Sequence, residues 1–295
     1  MSKQPKIACY GEILWDVFPD KKRLGGAPLN VALRLHSFGA EVAMISAVGK
    51  DDLGDVAISE LEAQSLNTDF IQRPKKPTGE VTVILDQKGS ASYTIQENVA
   101  WDAIEATKEN LKAVEEADAF VIGSLAFRDS VNLKALEALI EKSKFTVFDL
   151  NLRAPFYELE IVVALMEAAD MIKLNDEELE LVVMVLGIEG KTLADELKQL
   201  STMTETPTIC VTLGAEGAML LHKDTIYEQV GFPAKVVDTV GAGDSFLATL
   251  IYGLRTGETP EDALEVACAV GSLVASKAGA NAIVEPEEIE ELLNG

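Results

Sequence analysis

Short runs of β-branched and other apolar residues alternate along the chain with amphipathic stretches of helical spacing. The runs are KIACYG (6–11), VAMISAVG (42–49), AFVIGS (119–124), FTVFDLN (145–151), MIKLN (171–175) and TICVTLG (208–214). Helices are predicted near Pro28–Phe38 and Leu53–Gln64, and again after each of the last four runs. This alternation predicts an α/β fold in which helices flank a mostly parallel central sheet on both faces. Functional residues are then expected just after the strands, at their carboxyl ends.

One region departs from this pattern. Residues Gly79–Ile95 alternate with period two around the turn sequence DQKGS, which predicts a β-hairpin. Together with EILWDVFPDKKRL (12–24), the hairpin is expected to form a small antiparallel sheet from about 12–24 and 78–100. Such a sheet beside a crevice would serve as a lid over a single domain, 1–295. A hairpin at the edge of the main sheet is the alternative.

Composition restricts the partners. The chain has 25 Lys and Arg against 49 Asp and Glu, a formal net charge of −24. Nucleic acid and anionic membranes are therefore poor partners, because their phosphates meet a repulsive field. A phosphorylated ligand would need local help from backbone amides, a metal or a few bases. The 3 cysteines form no CxxC pair, and no signal peptide or membrane span is seen, so a cytoplasmic protein is expected.

The stretch DTVGAGDSF, Asp238–Phe246, has the residue types of an anion site at a helix start. Gly241, Ala242 and Gly243 leave backbone amides unobstructed where the helical pattern begins, and these amides attract negative charge. Asp244 follows inside the first turn, well placed to take a proton from a hydroxyl that attacks a bound anion. The alternative is a tight glycine turn with Asp244 as a simple stabiliser of the first turn.

Two other patterns carry no chemistry. EGKTLAD lacks the first glycine of a phosphate-binding P-loop, because Val185 stands there, and a helix rather than a strand precedes it. His36 and His222 have no Ser or Cys nucleophile motif nearby, so a hydrolase triad is not indicated.

The glycine motif and an earlier stretch together resemble a known family. DTVGAGDSF and GGAPLNVALRLHSFGAEVAMISAVGKDDLG (25–54) are similar, in this order, to the two signatures of the ribokinase/PfkB-type carbohydrate kinases. GEILWD, DLNLR, KLNDEE and TLGAEG extend the resemblance over the whole chain. It implies an α/β kinase with a small β lid that phosphorylates a sugar hydroxyl with ATP and Mg²⁺.

The resemblance also implies roles for single residues. Asp244 corresponds to the general base, and the amides of Gly241, Ala242 and Gly243 to the anion hole for the transferring phosphate. The remaining nucleotide and metal positions are Asn175, Thr212, Gly214, Gly217 and Gly279 around the nucleotide, Glu178 for Mg²⁺ through water, and Asp238 and Val240 around the monovalent cation, such as K⁺, of some members. For Asn175 and Glu178, an ordinary N-capped acidic helix start is the alternative.

For the sugar, the matching positions are Asp16, Gly26, Asn30 and Arg153. Considered singly, Asp16 is better explained as a surface acid before a turn and Asn30 as a polar residue at a helix start. The alternatives for Arg153 are a partner for Asp149 and a cap at a strand end. GGAPLNVA, DLNLRAPFY and GEILWDVFP favour the fructokinase group, so fructose phosphorylation at the 6-hydroxyl is the expectation.

Other assignments stay open at this point. A 2-keto-3-deoxygluconate kinase or another PfkB-type sugar kinase is the alternative, and a non-catalytic sugar-binding relative is the alternative of a different class. The stretch Tyr93–Asp102 receives no assigned contacts. Exposed lid strands favour a homodimer that pairs through the lid.

Overall fold

The structure is a computed structural model that describes residues 4–85 and 91–295. The turn DQKGS of the predicted hairpin, residues 86–90, lies outside the described residues. The strands are β1 (Lys6–Tyr10), β2 (Leu14–Val17), β3 (Lys22–Gly25), β4 (Glu41–Ala47), β5 (Ile71–Gln72), β6 (Gly79–Leu85), β7 (Ala91–Ile95), β8 (Ala119–Gly123), β9 (Thr146–Asp149), β10 (Met171–Asn175), β11 (Thr208–Thr212), β12 (Gly217–His222) and β13 (Thr225–Val230). The helices are α1 (Ala27–Ser37), α2 (Asp52–Ala63), α3 (Lys108–Glu116), α4 (Ser130–Ile140), α5 (Leu159–Glu167), α6 (Asp176–Leu186), α7 (Leu193–Thr204), α8 (Ala242–Thr256), α9 (Pro260–Ala275) and α10 (Pro286–Asn294).

The predicted α/β architecture is confirmed. A nine-stranded sheet has the order β13-β12-β11-β10-β9-β8-β1-β4-β5, and the strands from β11 to β5 all run parallel. Every residue of the central strand β8 is buried, as expected when helices cover both faces of a parallel sheet. The chain fills the sheet first on one side of β1 and then on the other, so the strand order reverses between β1 and β8. A ligand crevice is expected outside the carboxyl ends at such a point.

One element prediction was wrong. The run Thr208–Gly214 is followed by the antiparallel strands β12 and β13, and not by a helix. The cause is a tight turn in which Gly214 and Gly217 adopt positive φ angles of 57° and 109°. Only Gly214–Glu216 between them form a short 3₁₀ turn, which is too short to cross the sheet.

The small sheet predicted from the early stretch and the hairpin is present. Its order is β3-β2-β6-β7, and among the described residues these strands pair only with one another. β2 with β3 and β6 with β7 are antiparallel, while β2 and β6 run parallel in the middle. The hairpin therefore does not extend the edge of the main sheet. Its function as a lid stays a prediction.

The helix limits follow the sequence signals closely. Thr259 caps α9, its hydroxyl accepting a hydrogen bond from the Asp262 amide, and Pro260 is the first helical residue. The apolar face of α8 consists of Phe246, Leu247, Leu250, Ile251 and Leu254, of which the first four are buried and Leu254 is half-buried. α8 packs on α1 and α9, which fixes its first turn at the edge of the crevice. No helix among residues 4–85 and 91–295 has the length and apolar character needed to span a bilayer.

Candidate active site

The first turn of α8 opens at the crevice with a left-handed residue. Gly241 precedes the helix with φ 78° and ψ −2°, and a side chain there would collide with the backbone of Ala280. Among the described residues, the amides of Gly241 and Gly243 donate to no protein acceptor, which leaves them available to an anion. The Ala242 amide, in contrast, donates to the Thr239 carbonyl at 3.2 Å. Its predicted part in an anion hole would require that contact to open.

Asp244 is held by a chain of amide side chains. Its Oδ2 accepts a hydrogen bond of 2.7 Å from Asn30 Nδ2 on α1, and Asn30 Oδ1 accepts one of 2.9 Å from Asn281 Nδ2. Burial raises the pKa of Asp244 to about 6, and the charge of Asp149 adds to this, while Asn30, Lys173 and Arg153 act in the other direction. A carboxylate with this pKa is ionised at neutral pH and accepts a proton readily.

Glu12, which the sequence patterns did not single out, lies close enough to Asp244 for the charge of Asp244 to raise its pKa. Its carboxylate is buried; Oε1 accepts the Ala27 amide at 3.2 Å, and Oε2 has no hydrogen-bond partner. Burial raises the pKa of Glu12 to about 7. The available signal was its position directly after strand β1, in GEILWD. Gly26 packs against it so closely that a Cβ at Gly26 would collide with the Glu12 carbonyl oxygen.

Two predicted sugar residues flank this centre. Asp16 lies half-buried on β2, and a Cβ at Gly25 would stand 2.7 Å from its Oδ2. Burial raises the pKa of Asp16 to about 6, while the nearby guanidinium groups of Arg23 and Arg153 lower it. Arg153 is exposed, and the only hydrogen bond of its guanidinium among the described residues is to the Leu152 carbonyl at 3.4 Å. It does not pair with Asp149, so its guanidinium remains available to a ligand.

Asp149 pairs instead with Lys173, a residue that sequence reasoning missed. Lys173 Nζ lies 3.0 Å from Asp149 Oδ1, and the two side chains are 8% and 4% exposed. The two residues lie opposite each other on the adjacent strands β9 and β10. The signal lay in the strand patterns: a charged residue at an otherwise apolar position of each of two neighbouring strands needs a partner.

Asn175 and Glu178 form a reciprocal capping box at the start of α6. Asn175 Oδ1 accepts the Glu178 amide at 2.8 Å, and Glu178 Oε2 accepts the Asn175 amide at 2.9 Å. Glu178 Oε1 accepts the Leu152 amide at 2.7 Å, and the residue is 7% exposed. Burial raises the pKa of Glu178, and the charge of Asp149 adds to this. The contacts of Asn175 and Glu178 in the structure are therefore those of an N-capped helix start, the alternative considered from the sequence.

Glu178 suits a metal ion such as Mg²⁺ only as a group that contacts the ion through water. Each Glu178 oxygen keeps a lone pair beyond the backbone bond that it accepts, so the carboxylate suits an ion that retains its own waters. Among the described residues, no three Asp, Glu, His or Cys side chains converge into a direct metal site.

The other predicted nucleotide residues lie at the end of β11, in the turn after it and in the loop that follows α9. Thr212 ends β11, and Gly214 and Gly217 form the turn that follows. Asp238 joins the two loops near the helix: its Oδ2 accepts the Gly279 amide at 3.1 Å, and its Oδ1 accepts the Val240 amide at 3.1 Å. A K⁺ site at Asp238 and Val240 stays a prediction, because the carboxylate also faces Arg23 Nη1 at 3.4 Å.

Part of the unassigned stretch Tyr93–Asp102 lines a second cavity. Its volume is about 350 Å³, and it lies at the same edge of the sheet, where Ser124 follows β8 and Phe156 follows β9. Asp102 Oδ1 pairs with Arg128 Nε at 2.8 Å, and the guanidinium stacks 3.9 Å from the Trp101 ring centroid. Pro155 and Phe156, which follow the predicted sugar residue Arg153 in the chain, line the same cavity.

Comparison with known proteins gives a consistent result. A family model for the pfkB family carbohydrate kinases matches residues 3–287. A sugar kinase of Pyrococcus horikoshii is 30% identical over 269 residues, 84% of this chain and 82% of that protein. Its structure in complex with ATP has a TM-score of 0.80 at 27% identity, covering 97% of this chain and 99% of the other.

Two fructokinases are also similar. The fructokinase of Solanum tuberosum is 28% identical over 319 residues, 98% of this chain and 96% of that protein. The crystal structure of a fructokinase from Xylella fastidiosa with bound ATP has a TM-score of 0.88 at 23% identity and covers 98% of both chains.

Proposed function

Since this chain belongs to the pfkB family of carbohydrate kinases, we propose that it transfers the γ-phosphate of ATP to the 6-hydroxyl of fructose. The observation that carries the proposal is Asp244, which Asn30 holds at the same helix start as the free amides of Gly241 and Gly243. The plant fructokinases, similar over nearly the whole chain, support fructose as the acceptor.

Asp244 acts as the general base in this proposal. A sugar hydroxyl is a weak nucleophile, and removal of its proton as the bond to phosphorus forms lowers the barrier. Asn30 bonds Oδ2 at 2.7 Å, and within residues 4–85 and 91–295 no donor bonds Oδ1, which is therefore available to receive that proton. With a pKa of about 6, Asp244 is largely ionised at pH 7.

The amides of Gly241 and Gly243 orient the phosphoryl group opposite the hydroxyl. Phosphoryl transfer needs mainly alignment and neutralisation of charge, and fixed backbone dipoles supply both without reorganisation. Mg²⁺, when bound through water at Glu178, would neutralise further charge on the phosphates. These local groups are needed because the net charge of −24 otherwise repels ATP.

The acceptor lies, in this proposal, between Asp16, Gly26, Asn30 and Arg153, with the nucleotide on the side of Thr212, Gly214, Gly217, Gly279 and Asn175. Gly26 admits the substrate close to the backbone, and Asp16 and Arg153 bond its hydroxyls. Closure of the small sheet over the crevice would exclude water, which competes with the sugar as an acceptor.

Release of ADP with fructose, ribose and 2-keto-3-deoxygluconate as acceptors tests the proposal. Fructose is expected to be preferred by at least ~100-fold in kcat/KM, equivalent to about 3 kcal/mol. The product is identified as fructose 6-phosphate by coupling to an isomerase and a dehydrogenase. A preference for 2-keto-3-deoxygluconate would replace fructose by the alternative acceptor.

Asp244→Asn separates catalysis from binding. It is expected to abolish ADP release while fructose still binds in calorimetry, whereas Asp69→Asn, at an exposed acid, keeps wild-type turnover. Equal activity of Asp244→Asn and wild type would exclude Asp244 as the base. Binding without turnover in the wild-type protein would make the chain a non-catalytic relative.

A further inference from the structure

The buried pair of Lys173 and Asp149 lies at the carboxyl end of β9 and on its neighbour β10, where burial makes charge costly. Both side chains are more than nine-tenths buried, and their contact of 3.0 Å joins strands β9 and β10. Replacing such a pair by apolar residues is often neutral or stabilising, because the attraction barely repays the desolvation of two ions. Stability alone is therefore a weak reason for an ammonium group at this position.

The ammonium lies directly beneath the mouth of α8. A Cβ built on Gly243 would stand 3.4 Å from Lys173 Nζ, so the lysine reaches the first turn from the sheet side. Among the described residues, Asp149 is the only hydrogen-bond acceptor of Nζ, which leaves two of its three donors without a protein partner. The charge of Lys173 lowers the pKa of Asp244, the next residue of that turn.

Charged groups face this point from every neighbouring element. The carboxylates are Glu12 after β1, Asp149 on β9, Glu178 on α6 and Asp244 on α8, and the cations are Lys173 on β10 and Arg153 after β9. Asn30 on α1 adds a neutral donor. Three of these acids, Asp149, Glu178 and Asp244, act on the one buried ammonium of Lys173, while Arg153 is exposed to solvent.

We propose that Lys173 is a positioning residue for phosphoryl transfer, whose buried ammonium, anchored on Asp149 under Gly243, keeps Asp244 ionised and offsets phosphate charge at the helix mouth. This inference rests on the proposed function of the site. Burial alone would lower the pKa of Lys173, but the charges of Asp149, Glu178 and Asp244 raise it above the ordinary value. Lys173 is therefore a permanent cation over the working pH range.

The pH dependence of kcat tests the inference with variants that move it in opposite directions. Lys173→Met removes the cation and is expected to move the acid limb of kcat toward alkaline pH by about 1 unit. Asp149→Asn removes a like charge from Asp244 and is expected to move the limb toward acid pH. Lys173→Arg restores the charge and should keep the limb near that of the wild type.

A control and a second measurement keep the test decisive. Lys6→Met breaks an ion pair with Glu41 at the opposite end of β1 and should leave the limb unchanged. The carbon-13 signal of the Asp244 carboxyl, identified by its loss in Asp244→Asn, is titrated in the same variants without ATP or sugar. It is expected to show the same shifts, so it tests the inference even if the wild type proves to transfer no phosphate.

The proposal is overturned if Lys173→Met and Asp149→Asn both keep the wild-type acid limb of kcat and the wild-type titration of the Asp244 carboxyl. The pair would then be a purely structural contact. If Lys173→Met does not fold, Asp149→Asn and Lys173→Arg decide by the same criterion. An acid shift in Asp149→Asn supports the inference, and an unchanged limb refutes it.

Discussion

Gly241→Ala offers a direct test of the anion hole, because α8 is bounded by two left-handed glycines in different surroundings. Gly241 precedes the helix with φ 78°, and Gly257 follows it with φ 94°. An alanine in this conformation costs roughly 1–2 kcal/mol at either position. For a chain of this size, that cost corresponds to a fall in Tm of roughly 2–3 °C.

The two positions differ in what an added methyl group would meet. At Gly257 no atom lies within 4 Å, so Gly257→Ala carries the conformational cost alone. At Gly241 the methyl group collides with backbone atoms of Ala280, which cannot rotate away, so the loop or the helix mouth must move. Displacing one amide from a transition-state anion typically costs ~100- to 1,000-fold in kcat, or roughly 3–4 kcal/mol.

The assay is sugar-dependent ADP release, with thermal unfolding measured on the same preparations. We expect Gly257→Ala to lose stability but keep kcat, and Gly241→Ala to lose both. If the two variants retain the same kcat, the first turn of α8 does not hold the transferring phosphate, and the reasoning on the glycine motif is wrong.

Three further outcomes follow from contacts in and beside the site. Asn30→Ala removes a 2.7 Å hydrogen bond to the ionised form of Asp244, so its pKa should rise and the acid limb of kcat should move to higher pH by about 1 unit. Asp244→Asn should raise Tm at pH 7.5, because the pKa of Asp244 is about 6 in the folded protein and 3.8 for an ordinary aspartate. The buried carboxylate destabilises the fold increasingly as pH rises between these two values, so the difference in Tm should vanish below pH 4. An equal Tm difference at both pH values would show that the desolvated charge is not the cause. Arg128→Met leaves the buried carboxylate of Asp102 without its partner and should lower the free energy of unfolding in urea by about 3–5 kcal/mol. Lys6→Met, at a partly exposed ion pair, should leave the urea midpoint unchanged. Similar midpoints for both variants would contradict this expectation.

The amino-acid sequence determined the local and repetitive features of this protein. Burial on both faces of a parallel sheet imposes continuous apolar strands, and amphipathic helices must follow them, so the α/β class could be predicted from spacing alone. The cap of α9 and the start of α8 also depend only on residues near them in the chain, because the residues that mark a helix end in the sequence are those that form its capping hydrogen bonds. The one failure, after β11, came from a glycine turn that reversed the chain where a crossover was expected.

The tertiary structure alone decided which charges meet. Asn30 and Asp244 are 214 positions apart in the chain, and Asn281 completes their chain of hydrogen bonds. Lys173 and Asp149 look unrelated until β9 and β10 lie side by side in register. A hydrogen bond or an ion pair is a property of distance in space, and the sequence fixes that distance only through the packing of every element between the two residues.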